Sequence, residues 1–424
     1  MRKLFKRSAV LLVACVSTIT AAQAGGFQIG EMGIKATGLA NAYTAVADDA
    51  SAAWYNPAGL AFVEGTNVVA GGVAIIVPGT DFVSNAANSL GTGITATASD
   101  NTFFIPHAYF SYNDSDTGLT ASLGINSPFG LETEWPTTSP FASKATLSRI
   151  NMVNINGNVT FRISDRLAIA AGVSYGSVYK VDLNSTVQNL SGDGTGWGGN
   201  AALFYKGDTF NFGVSYRSSM SVDIAGTAVG GAVLGGLTST ATTNVTLPDQ
   251  VNVGLAWMPD DAWTLSVDVD WVNWTTFDSI DIQYASATYR GAVSLLQAAV
   301  GAPVTGATSL PQNWDATVAF RVGAEWRYSS NMRARFGYTF DPTPVSDPTF
   351  TPAIPDSDRH LFAVGYGYDM SPNTTIDLAY MFTYFTDRSQ TQSPLAPPGA
   401  PEALKNGEYS ASAHIIGISV AHRF

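Results

Sequence analysis

Charge is scarce in this sequence. Asp, Glu, Lys and Arg make up 13% of its 424 residues, against roughly 25% in ordinary soluble domains. A water-facing globular surface is hard to build from so few ions. Cysteine is limited to Cys15, which excludes an intrachain disulfide and leaves thiol chemistry without a second partner. Histidine occurs only as His107, His360, His414 and His422. None stands in a catalytic or metal-binding setting, and no phosphate loop or nucleotide fingerprint appears. An enzyme, a metal and a cofactor are therefore not expected. Basic residues number 21 against 33 acidic ones, so nucleic acid is not an expected partner. After residue 24 no apolar run approaches the about 20 residues of a transmembrane helix.

What is present begins with an address. Arg2, Lys3, Lys6 and Arg7 precede the apolar run Ser8 to Val16, and Ala22-Gln23-Ala24 supplies small residues for a signal peptidase. Leu12-Val13-Ala14-Cys15 also matches a lipobox, but cutting there leaves a very short apolar core and no role for Ala22-Gln23-Ala24. The expected mature start is Gly25. At the other end Ile416, Ile418, Val420, His422 and Phe424 alternate with Gly417, Ser419, Ala421 and Arg423. Such a strand, ending in an aromatic residue, suits the closing strand of an outer-membrane barrel and makes the barrel-assembly machinery an expected partner.

The same alternation recurs inside the chain. Trp263, Leu265, Val267, Val269 and Trp271 share one parity, with Thr264, Ser266, Asp268 and Asp270 on the other. Trp314, Ala316, Val318, Phe320, Val322, Ala324 and Trp326 form a second apolar stripe, opposite Arg321, Glu325 and Arg327. Met332 to Phe340 forms a third, opposite Arg333, Arg335 and Asp341. In lipid every backbone amide needs an internal partner, so a spanning sheet must close, with apolar residues outward and ions in the lumen. A soluble sandwich would also alternate, but would not keep charge this low over such length.

Short polar turns at 113–116, 164–166, 206–208, 259–261, 329–331 and 371–373 alternate with long connections near 79–101, 128–143, 184–194, 226–243, 285–312, 343–357 and 388–407. The fold class expected is all-β: a 14-stranded antiparallel outer-membrane β-barrel with both ends in the periplasm.

Residues 25–65 do not alternate. A small-residue stretch from Met32 to Ala47 suggests a short helix, and Trp54, Tyr55 and Phe62 need burial. The expected organisation is a signal peptide at 1–24, an N-terminal hatch in the lumen at 25–65, and the barrel at 66–424. Asp48 and Asp49 are candidates to pair with lumen arginines Arg321, Arg333 or Arg335. Pro128 cannot donate to a ladder and Gly130 weakens pairing, so the stretch around them marks an edge, bulge or break, or the start of an outer loop. Segments 226–237 and 291–300 are unusually apolar for exposed loops, and exposed apolar patches mark interaction sites; the second suits a short amphipathic helix.

Several motifs, in order, carry a resemblance: Gly26-Phe27-Gln28, Gly38 to Tyr43, Ala47 to Ala50, Asn56-Pro57-Ala58-Gly59, Phe129-Gly130-Leu131, Leu247-Pro248-Asp249, Trp271 to Trp274 and Ile354 to Arg359. Together they resemble the FadL family of outer-membrane transporters of long-chain fatty acids and, in some relatives, aromatic hydrocarbons. The resemblance covers essentially the whole mature chain. It implies capture of a hydrophobic ligand among outer loops, transfer to a pocket near the hatch N-terminus, and release through the wall into outer-membrane lipid. On that resemblance Phe27 and Ile29 contact the ligand tail, Asn56 and Pro57 hold the hatch, and Asn126-Ser127-Pro128-Phe129-Gly130-Leu131 forms the lateral gate. A carboxylate head group needs a cation, for which Arg149, Arg321, Arg333 and Arg335 are candidates, unless each pairs with an acidic residue of wall or plug. A general diffusion porin is the competing reading, and would lack the hatch and the apolar loops.

Overall fold

Strands with one greasy and one polar face can cross a bilayer only if the sheet has no free edge, and the computed structural model shows this closure. It describes residues 25–63, 65, 67–114, 116–391 and 401–424. The expected signal segment, with Cys15 and Ala22-Gln23-Ala24, and part of the 388–407 connection lie outside the described residues.

Strands β1 (Asn67–Ser84), β2 (Phe103–Asp114), β3 (Leu119–Asn126, resuming as Gly130–Glu134), β4 (Leu147–Arg162) and β5 (Leu167–Asn184) follow one another round the wall. Next come β6 (Gln188–Lys206), β7 (Phe210–Arg217 and Met220–Gly230), β8 (Thr238–Leu247 and Gln250–Asp260), β9 (Trp263–Val272) and β10 (Thr317–Ser329). Then β11 (Met332–Asp341), β12 (Arg359–Ser371), β13 (Thr374–Gln390) and β14 (Gly407–Arg423) complete a closed antiparallel barrel of 14 strands. Closure is direct: β14 pairs with β1 from Val68↔Arg423 to Ser84↔Gly407.

Lipid-facing residues follow the sequence parity. Val267, Val269, Phe320, Val322, Ile416 and Ile418 are exposed, whereas Ser266, Asp268 and Asp270 are buried in the lumen. Trp263 stacks on Trp326 across β9 and β10, with ring centroids 5.6 Å apart, beside the short turns. Indoles at that level form an interfacial girdle. Trp314 departs from its expected stripe. β10 begins only at Thr317, the chain turns at Asn313 (φ 46°), and Trp314 is 2% exposed inside the barrel. The connection expected at 184–194 is also shorter. It is a turn at Ser185–Val187 between strands of 18 and 19 residues, longer than the about 9–11 residues a membrane needs, so both rise above the bilayer.

The N-terminal segment fills the lumen. Instead of a helix over Met32 to Ala47 it forms one turn, α1 (Ile34–Thr37). The chain then bends through positive φ at Ala40 (49°), Asn41 (64°) and Ala47 (33°), a conformation L-residues adopt at a cost. Close packing against the wall holds it there: the Thr339 hydroxyl donates to the Ala40 carbonyl at 2.7 Å. At Gly337 a Cβ would lie 2.3 Å from the Leu39 carbonyl carbon, so only glycine admits the hatch backbone. A second turn, α2 (Ala52–Tyr55), leads into a 3₁₀ helix at Pro57–Phe62. On the outer side, Ser279–Tyr284 pairs with Thr308–Pro311 above β9 and β10. Between them runs the amphipathic helix α3 (Ala287–Ala299), capped by the Ser286 hydroxyl accepting from the Tyr289 amide.

Candidate functional site: an apolar route ending at the hatch N-terminus

β3 is interrupted where Pro128 removes a donor. Both halves keep β4 as neighbour, with Asn126 opposite Asn154 and Gly130 opposite Asn151. Three residues on β3 thus face two on β4, a bulge that bends the strand. The stretch is therefore a break within a wall strand rather than the start of a loop. On the other side β2 pairs with β3 only as far as Ala108↔Ile125, so Phe103–His107 and Gly130–Glu134 are not laddered to each other. The hatch enters that space: the Ile29 amide donates to the Pro128 carbonyl, and the Gly130 amide to the Phe27 carbonyl, each at 2.9 Å.

Phe27 occupies an aromatic chamber beside the break. Its ring centroid lies 5.0 Å from Trp274, 5.2 Å from Phe277, 5.7 Å from Trp314 and 6.0 Å from Phe129. Gly26 makes this possible: its φ is 68°, and a Cβ there would lie 2.3 Å from the Trp314 ring. Ile29, paired with Phe27 in the sequence reading, instead joins the separate apolar core between hatch and wall.

From Phe27 a contiguous buried apolar cluster leads outward through Leu190, Ile280 and Ile282 to Leu234 and Val293. There it lines a groove of about 550 Å³ among the outer loops, with Leu183, Leu296 and Ile354. Lys144 and Lys405 also line the groove, and among the described residues no Asp or Glu does. Both apolar loop segments contribute, through Leu234 and through Val293 and Leu296. A wider cleft of about 630 Å³ nearby is lined by Asp223, Asp278, Asp281 and threonines, and offers little to an apolar or anionic molecule.

The candidate cations are already matched. Arg149 Nε is 2.7 Å from Glu132 and its Nη1 3.1 Å from Asp182. Arg321 contacts Asp270 closely, Arg333 reaches Asp369 at 2.6 Å, and Arg335 reaches Glu325 and Asp377, each at 2.6 Å. Asp48 and Asp49 do not pair with these arginines. Asp48 takes Lys35 at 2.7 Å and the Tyr43 hydroxyl at 2.8 Å, and Asp49 accepts from the Ser51 amide. Wall carboxylates one strand away reach each guanidinium first, while Lys35 lies within the hatch itself. Burial opposes the charge on Lys35, but Asp48 and Glu325 more than compensate, and its pKa is raised. Burial raises that of Glu31, outweighing the hydrogen bonds its carboxylate accepts from its own backbone amide and from Asn41, the latter at 3.3 Å.

Asn56 ties the hatch together. Its Oδ1 accepts from the Ala58 amide at 3.2 Å, and its Nδ2 donates to the Thr44 carbonyl at 3.0 Å and to Leu203 of β6 at 3.1 Å. Pro57 starts the 3₁₀ helix, where its missing amide is not needed, and its carbonyl accepts from Thr160 at 2.8 Å. Sequence reasoning missed Trp274, Phe277 and Trp314 as chamber walls, and missed Arg217 altogether. Arg217 shares its parity with lumen-facing Gly213 and Ser215, the only sequence signal it carried. Its guanidinium lies 3.6 Å above the Trp54 ring, and Nη2 donates to the Trp54 carbonyl at 2.6 Å.

Residues 13–424 match the profile of the family described as "Outer membrane protein transport protein (OMPP1/FadL/TodX)". The long-chain fatty acid transport protein of Escherichia coli K12 is 24% identical, over 90% of this chain and 93% of its own. Among solved structures, a FadL homologue of Pseudomonas aeruginosa aligns with a TM-score of 0.78 at 17% identity, covering 94% of this chain and all of its own (100%). The toluene transporter TodX of Pseudomonas putida aligns at 0.66 with 16% identity, covering 88% and 94%. At such identities the structural likeness speaks for the fold.

Proposed function

This chain belongs to the FadL/TodX family of outer-membrane transporters of hydrophobic compounds, and we propose that its own cargo is a long-chain fatty acid. The observation that carries this reading is the outer groove, where apolar side chains such as Leu183, Leu190, Leu234 and Leu296 alternate with uncharged polar ones, Lys144 and Lys405 are the ions, and no Asp or Glu occurs among the described lining residues. That lining suits an acyl chain, with the lysines at hand for an anionic head; Lys405 Nζ also donates to the Phe350 carbonyl at 2.7 Å. The groove's about 550 Å³ falls in the ordinary range for small-molecule sites, about 300–1,000 Å³.

The ligand moves from the groove along the apolar cluster to Phe27, which yields its chamber to the acyl chain. Withdrawal of Phe27 pulls on the backbone that fills the break in β3, opening a sideways path at Asn126–Leu131. A molecule leaving there enters outer-membrane lipid, gaining about 0.8 kcal/mol per buried methylene, and needs no passage through the packed hatch. The rings of Trp274, Phe277 and Trp314 favour a second reading, in which the chamber holds an aromatic hydrocarbon.

Native mass spectrometry of the purified barrel in detergent, with oleate and toluene in competition, separates the two. Retention of oleate, lost in Phe27→Glu, supports the fatty-acid reading. Preference for toluene keeps the route and changes the cargo. Binding of neither, with a large steady ion conductance in bilayers, returns the protein to the class of diffusion porins.

A further inference from the structure

We infer that Arg217, with Gln250, is an anion-binding station immediately inside the break in β3, where the fatty-acid carboxylate is held while its tail leaves through the wall. This rests on the fatty-acid reading above and adds a residue to it.

Arg217 differs from the arginines of β10 and β11 that face the same lumen. Arg321, Arg333 and Arg335 each have a carboxylate partner. Arg217 has none among the described residues: Nη2 is taken by the Trp54 carbonyl, and the enclosed Nη1 has no hydrogen-bond partner. Burying a cation without a counter-charge is costly, and a donor left unmade costs more than the mean hydrogen bond contributes. Stacking on Trp54 offsets part of this, but supplies no acceptor.

A second orphan lies beside it. Gln250 accepts from Gln28 at 3.0 Å through Oε1, while its buried Nε2 has no partner. Arg217 and Gln250 line the same two small cavities. One, of about 20 Å³, is bounded by Pro128, Phe129, Met152 and Met220. The other, of about 30 Å³, is bounded by Ile29, Trp54 and the Asp270–Arg321 pair. Asp270 gives Oδ2 to Arg321, but its Oδ1 has no partner, so the second cavity also holds an open carboxylate oxygen. The first, beside Pro128, has no Asp or Glu in its lining among the described residues, and there the two donors share space without an acceptor.

At these volumes the cavities admit about one or two waters and no head group. The walls that must yield are Phe129, which leans on Phe27, and the unbranched thioethers of Met152 and Met220, the side chains best able to re-pack. Movement of Phe27 by a ligand therefore also loosens the cavity that Arg217 faces. A guanidinium with one edge fixed and one nitrogen open, beside an amide donor, matches a carboxylate. With the head group held there, the tail is the part next to Pro128.

The test compares oleate with oleyl alcohol, its uncharged analogue, by calorimetric binding to the full-length protein in micelles. Wild type, R217M and R217K are used, with heat-modifiable gel mobility reporting that each barrel is folded. In R217M the oleate affinity is expected to fall about tenfold, with the alcohol unchanged and R217K in between. Equal losses for both ligands, or no loss for either, overturns the assignment to Arg217 and leaves the fatty-acid reading standing. Wild-type protein that binds oleyl alcohol and toluene but not oleate overturns both.

Discussion

The Ile29 amide donates to the carbonyl of Pro128 at 2.9 Å, so the hatch supplies the neighbour that a broken wall strand lacks. Gly130 completes the exchange by donating to Phe27. Plug and opening are therefore one device. The backbone that carries the Phe27 ring into the chamber is the same backbone that seals the wall.

Removing the amide of Ile29 should unseal the wall without unfolding it. Ile29→Pro loses the bond to Pro128, worth about 1 kcal/mol, and adds a ring clash where the strands meet. Amides of residues 27–31 are expected to exchange faster with deuterium, while those of β12 to β14 keep their protection. Unchanged exchange at Gly130 would show that the seal does not depend on this contact.

Asn56 makes three hydrogen bonds that hold two hatch segments and β6 together. Asn56→Ala leaves the Thr44 and Leu203 carbonyls and the Ala58 amide without it, a loss of about 2–4 kcal/mol. Protease is expected to cut within residues 30–63 of the variant in detergent, with heat-modifiable mobility of the barrel retained. Wild-type resistance in the variant would remove Asn56 from its central place in the plug.

Gly337 tests how tightly the hatch is fitted. A Cβ there meets the Leu39 carbonyl carbon at 2.3 Å, and both atoms belong to backbones that cannot swing aside. Gly337→Val should displace the plug around Leu39–Asn41 and raise ion conductance in planar bilayers, with strand content by circular dichroism unchanged. A variant as tightly closed as wild type counts against that close fit.

Acidity should tighten the hatch. A solvated Glu31 titrates near 4.5, and burial raises that value in the docked state. The stabilisation is complete below 4.5 and is lost as pH rises through the docked pKa. The urea concentration that releases Trp54 fluorescence is thus expected to decline as pH rises above 4.5. Glu31→Gln should flatten the profile; an identical slope in the variant assigns the titration to another group. Lys35 works in a separate window, since its raised pKa keeps its contribution intact up to about 10.5.

Much of the barrel was legible because lipid enforces a two-residue period. The alternation over Trp263–Trp271 and Met332–Phe340 reads directly as wall, and six tight turns count the strands. The reading failed where that constraint stops. Trp314 lies before β10 begins, and once the chain leaves the bilayer nothing holds its parity, so the indole turned inward to Phe27. The expected helix from Met32 to Ala47 failed for a related reason. Its alanines and glycines are chosen for close approach to Gly337 and its neighbours, and that approach bends the chain at Ala40.

The sequence by itself determined that this is an outer-membrane barrel, because closure and the lipid face each leave a local pattern in the chain, and it pointed to a plug through the residues that do not alternate. Only the tertiary structure decided which charges are spoken for. Arg149, Arg321, Arg333 and Arg335 look no different from Arg217 as letters. Pairing depends on which carboxylate the neighbouring strand brings within about 3 Å, and that register is set by the closed sheet. The same holds for the seal at Pro128: residues a hundred positions apart in sequence meet there because a proline removed one donor and the hatch supplied another.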